Sequence, residues 1–104
     1  MEHDSKWVRR KILLVLHARH PHYVRDDELQ VLLRDQGCTL DARELSSTLT
    51  FLENWPNYGR GYIHMKEIPG KRLAARGFES CITPLGLNLL DPTTPDTDEC
   101  VAEF

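Results

Sequence analysis

The chain has no apolar run that approaches a membrane span. Its longest, Ile12 to Leu16, falls far short of the ~20 residues needed to cross a bilayer. Its first residues, MEHDSKW, lack the basic start and long apolar core of a secretory signal, so cytoplasmic residence and no membrane association are expected. Cysteine is scarce. Cys38, Cys81 and Cys100 are odd in number with no close pair, which fits neither a disulfide framework nor a zinc knuckle; free thiols in a reducing compartment are expected. No phosphate-binding loop, nucleophile–base pair or cofactor loop occurs, so neither an enzyme nor a cofactor is expected. There is no internal repeat.

What remains is a soluble composition, 40% hydrophobic and 28% charged over 104 residues, which reads as one globular domain. The formal charge of −3 is unevenly distributed. After Leu90 come Asp91, Asp96, Asp98, Glu99 and Glu103 with no basic residue, so residues 1–90 hold 13 basic against 11 acidic side chains and carry +2. Between Arg60 and Arg76 the only acid is Glu67, against Arg60, Lys66, Lys71, Arg72 and Arg76, a local +4. Such asymmetry can create a positive face on an acidic protein.

Periodicity orders the elements. Val8, Ile12, Val15 and Leu16, with Trp7 and Leu13 beside them, predict a helix over residues 5–18, capped by Ser5 and basic at its start. Residues 23–25 are short and extended. Asp26 or Asp27 caps a second helix to about residue 36, with Leu29, Leu32 and Leu33 inward and Gly37 as its stop. After a turn over residues 38–40, Asp41 opens a third helix with Glu44 three residues on, a capping-box spacing. Leu45, Leu49 and Leu52 face inward, and Pro56 forces an exit near Asn54 or Trp55. Loose alternation over residues 62–68, a turn tip over residues 69–72, and residues 73–82 predict two strands. Thr83-Pro84 starts a last short helix anchored by Leu85, Leu89 and Leu90. From Pro92 the segment PTTPDTDECVAEF has no period and reads as a loose acidic tail.

This succession over roughly residues 5–90, with the Ile82-Thr83-x-x-Gly86-x-x-x-Leu90 junction, resembles the winged helix-turn-helix. The junction is similar to the run "IT-x-x-G-x-x-x-L" by which many small winged-helix proteins dock their last helix. The likeness is to compact single-domain bacterial and phage-borne regulators, including small early-region proteins of transposable phages. It implies an α+β, mainly α fold: a winged-helix domain over residues 1–91 with a two-stranded wing and a short closing helix, and an acidic tail over residues 92–104.

In that family the second helix of the helix-turn-helix enters the major groove. Carried over, this is the helix over residues 41–54, with Ala42, Arg43, Ser46, Ser47, Thr50 and Glu53 outward. Arg43 is expected on guanine, and Ser46, Ser47 and Thr50 on bases or phosphates. The wing cations Lys71, Arg72 and Arg76, with Arg60 and Lys66, are expected on the backbone, where affinity comes from released counterions. As a solvated hairpin, the same charges would simply blunt a sheet edge. Lys6, Arg9, Arg10 and Lys11 are candidates to supplement them.

Two other clusters are weighed. His17, His20 and His22 are of the type that binds zinc or nickel, but Pro21 interrupts them and no Cys or acid falls at ligand spacing, so a surface loop and no metal are expected. Trp55, Tyr58 and Tyr62 are expected as core and turn packing or, if exposed, as a protein interface. The resulting expectation is a transcriptional regulator binding duplex DNA, doubled on a palindrome as a homodimer through the first helix and the aromatic cluster. The alternative is a winged-helix protein-interaction module, a phage-type protein on a host protein, motivated by the acidic total, the sparse third helix and the tail.

Overall fold

A computed structural model describes residues 5–55, 57–68 and 77–90. The elements are α1 (Ser5–Arg19), β1 (Val24–Arg25), α2 (Asp26–Asp35), α3 (Ala42–Asn54), β2 (Ile63–Glu67), β3 (Phe78–Ile82) and α4 (Pro84–Leu90). The fold is α+β and mainly helical, with one three-stranded antiparallel sheet ordered β1-β3-β2. No helix among the described residues is long and apolar enough to cross a membrane. The turn tip with Lys71 and Arg72, residues 73–76 of the expected second strand with Arg76, the proline stop at Pro56, and the acidic tail with Cys100 lie outside the described residues.

Each helix forms where its apolar period meets a workable end. α1 buries Val8, Ile12, Leu13, Val15 and Leu16, a stripe wide enough to meet α2, α4 and β3. Full burial of each large aliphatic side chain contributes ~1.5–3 kcal/mol. α2 buries Leu29 and Leu33, while Leu32 packs half-buried at the edge of the core. Its start corrects the expected cap. Arg25 holds the N-cap position without a side-chain bond, and the Asp26 and Asp27 carboxylates accept the next residues' N–H groups at 2.8 and 2.9 Å. The acids therefore lie inside the first turn, where the helix dipole favours them. At the other end Gly37 adopts φ 81°, and Cys38 N–H donates back to the Leu33 carbonyl at 2.9 Å.

α3 carries the expected box. Glu44 N–H donates to Asp41 Oδ1 at 2.7 Å, and Asp41 N–H donates to Glu44 Oε1 at 3.4 Å. Leu45, Leu49 and Leu52 are buried beneath it. β1 is a two-residue strand pairing Val24 with Ser80 and Arg25 with Glu79. In the β2–β3 pair Ile63 faces Ile82 and Lys66 faces Glu79. Alternation turns Val24, Ile63, Ser80 and Ile82 toward the helices, and His64, Lys66 and Glu79 to the opposite face.

Thr83 caps α4 as expected, accepting Gly86 N–H at 3.2 Å and donating to the Gly61 carbonyl at 2.8 Å. Leu85 does not anchor this helix: it is exposed, while Gly86 and Leu90 are buried. A Cβ at Gly86 would strike the Tyr62 carbonyl oxygen and lie 2.7 Å from Ile82 Cγ1. Only glycine lets α4 approach this closely.

Candidate nucleic-acid interface

α3 turns ~100° per residue, and its buried leucines divide the rest of its surface into three strips. The outermost carries Arg43, Ser47 and Thr50, all exposed. Thr50 Oγ1 donates to the Ser46 carbonyl at 2.9 Å, so its hydroxyl proton is used within the helix. Asn54 closes the strip, donating to the Thr50 carbonyl and accepting Gly59 N–H at 3.0 Å. Of the expected base-contacting set, the outer strip thus unites Arg43, Ser47 and Thr50.

Ser46 belongs to a second strip. With Ala42 it lines a groove of about 150 Å³ whose far wall is Met65 and Phe78 and whose rim includes Asp26 and Asp27. Glu53, expected outward, turns to this side, and its Oε2 accepts the Met65 backbone N–H at 2.8 Å. These carboxylates make this flank of α3 unfavourable to phosphate.

The third strip faces α1. Phe51 and Trp55 stack with centroids 5.5 Å apart and planes 12° apart. The Arg9 guanidinium lies 4.2 Å from the Phe51 centroid, a cation–π distance. Phe51 is not among the residues that sequence reasoning singles out, although its i, i+4 spacing from Trp55 is the signal that finds such a pair. The expected aromatic set divides by burial: Tyr62 packs in the core at 5% exposure, whereas Trp55 and Tyr58 are 40% and 91% exposed. The Tyr62 N–H donates to the Leu52 and Trp55 carbonyls at 2.9 and 3.2 Å, tying the residue before β2 to the end of α3.

The cations separate likewise. Arg60 is exposed in the turn after α3. Lys66 lies on the sheet face away from the helices, 3.2 Å from Glu79 and 4.1 Å from the Tyr23 ring centroid; Tyr23 also hydrogen-bonds His64 Nδ1 at 2.9 Å. An ion pair directly across the strands holds Lys66 there, away from α3. Arg10 is buried and does not join a surface with Lys6, Arg9 and Lys11. Lys71, Arg72 and Arg76, the expected wing cations, lie outside the described residues.

Cys38 belongs to the core, whereas Cys81 lies on the sheet face away from the helices, its Sγ donating to the Pro21 carbonyl at 3.6 Å. Cys38 and Cys81 are free and buried, and burial raises both pKa values, against smaller lowering by Lys11 and Lys66 respectively. His17, His20 and His22 are exposed, and no group of three or more metal-capable side chains occurs among the described residues. No protein-family model, curated protein or solved structure matches this chain, so its own residues carry the functional argument.

Proposed function

We propose that this chain is a winged-helix protein that binds duplex DNA and regulates transcription, with α3 in the major groove and the β2–β3 hairpin as its wing. The observation that carries the reading is the pair α2 and α3, joined by a short turn and followed by an antiparallel hairpin, with Arg43, Ser47 and Thr50 on the outer strip of α3. An arginine there has the reach to fork onto a guanine edge, the Ser47 hydroxyl suits phosphate or base, and the Thr50 hydroxyl, its proton held by the Ser46 carbonyl, can accept from a base amino group. Lys71, Arg72 and Arg76, between the two strands in sequence, supply the sequence-independent attraction. A homodimer doubles the footprint. Retardation of genomic fragments at low salt tests the proposal, which fails if none is retarded.

A second reading, a protein-interaction module on a host protein, is favoured by one observation: the groove beside α3 has an apolar wall and Asp26 and Asp27 on its rim. That chemistry suits a cationic protein surface better than phosphate. Pull-down after nuclease treatment discriminates, since a stable protein partner without DNA affinity supports this reading alone.

A further inference from the structure

The groove of about 150 Å³ beside α3 lies between α2, α3 and the β2–β3 pair. Alternation turns Met65 and Phe78 to the same sheet face as Ile63 and Ile82, so their half-buried side chains close one wall. Leu45 and Leu49, both buried, form its floor. A space of that size holds one benzene-sized group.

The polar rim is one-sided. Asp26 and Asp27 line it, and no cationic side chain does among the described residues. Each aspartate uses Oδ1 to accept the next residue's N–H, at 2.8 and 2.9 Å, and keeps a second oxygen. Arg25 reaches Asp27 at 3.8 Å, an exposed pair of little strength. Asp26 is half-buried and has no ion pair among the described residues. The start of α2 contributes roughly half a positive charge here, less than the two carboxylates. Gln30 Nε2 donates to the Leu40 carbonyl at 2.6 Å, which leaves its amide oxygen as an acceptor. Negative charge and acceptors therefore ring an apolar floor.

The complementary ligand carries a positive charge and hydrogen-bond donors on one flat apolar group. The groove suffices for such a molecule. A protein partner needs ~800 Å² a side, and the neighbouring strip of Arg43, Ser47 and Thr50 is polar and itself cationic.

We propose that this groove binds a small arylalkyl ammonium, its ring against Met65, Phe78 and the leucines and its ammonium on Asp26 and Asp27. Because the walls come from both α3 and the hairpin, a bound ligand ties the two together. The proposal is independent of the duplex reading and competes with the protein reading of the same groove.

The test titrates the isotope-labelled full chain with phenethylammonium at neutral pH and follows its amide NMR signals. Those of Ala42, Ser46, Met65 and Phe78 should shift saturably, with a dissociation constant in the millimolar range for a ligand of about nine non-hydrogen atoms. Phenethyl alcohol, of the same shape, should bind several-fold more weakly, and phenylpropionate not at all. Asp26→Asn keeps an oxygen to accept the Asp27 N–H, so the helix start is preserved. It should weaken the ammonium roughly tenfold, the scale of one hydrogen bond to a charged group, and leave the alcohol unchanged. Ala42→Leu, at an exposed helix position, should fill the groove and weaken both. The proposal is overturned if these amides show no saturable shift, or if the alcohol or phenylpropionate binds as tightly as the ammonium. It is also overturned if folded Asp26→Asn protein binds the ammonium as well as wild type. Groove amides that respond to a lysine-rich peptide but not to phenethylammonium would overturn it in favour of a protein partner.

Discussion

Glu53 Oε2 accepts the backbone N–H of Met65 at 2.8 Å, tying α3 to the edge of β2 that β3 leaves uncovered. A half-buried strand N–H left without this acceptor costs part of its solvation. Glu53→Ala is expected to destabilise the fold by about 1–3 kcal/mol, measured by urea unfolding. Glu53→Gln, which keeps an oxygen acceptor, should recover much of the loss. Equal effects would show that the bond contributes little.

Gly86 is held against the Tyr62 carbonyl and the Ile82 side chain. Gly86→Ala forces backbone apart rather than a flexible side chain, and should cost about 1–3 kcal/mol. By contrast Leu85→Ala, at an exposed site on the same helix, should change the unfolding midpoint little.

Asp41 titrates with a defined sign. Hydrogen bonding from the Glu44 backbone N–H is the main cause that holds its carboxyl below the ordinary value. Its contribution is therefore present above the unfolded-state pKa and lost as pH falls through the lower folded value. Asp41→Ala should lower the thermal midpoint near neutrality, and the gap from wild type should narrow in acid. A gap that widens on acidification would contradict this assignment.

Burial raises the Cys38 and Cys81 pKa values, which keeps both thiols protonated near neutrality and hinders their modification. In a Cys100→Ser background, a thiol reagent at pH 7 should react slowly with native protein and fully after denaturation. Rapid stoichiometric reaction of either cysteine in native protein would contradict this.

On the DNA reading, two sets of substitutions should differ in kind. Arg43→Ala should cost about 1–3 kcal/mol at a specific site by removing a hydrogen-bonding fork from a base edge. Alanine at Lys71, Arg72 and Arg76 should weaken all sequences alike and lower the salt slope by roughly one for each phosphate that is no longer neutralised. Retardation assays across a salt series measure both.

Local rules made much of the architecture legible. The Asp41–Glu44 box, the stop at Gly37, the Thr83 cap and the Leu45–Leu49–Leu52 period each depend on residues within a few positions, and each appears where its spacing places it. The surroundings of the residues proposed to contact DNA were less legible. A helix period tells inside from outside, but not which neighbour each flank meets. Tertiary packing alone turned Ser46 and Glu53 toward the sheet, and paired Lys66 with Glu79 on the face away from the helices. It also drew Tyr62 inward while leaving Trp55 stacked on Phe51 beneath Arg9. The physical reason is range: caps and periods are satisfied within one element, whereas the surroundings of an outward side chain depend on how distant segments cross.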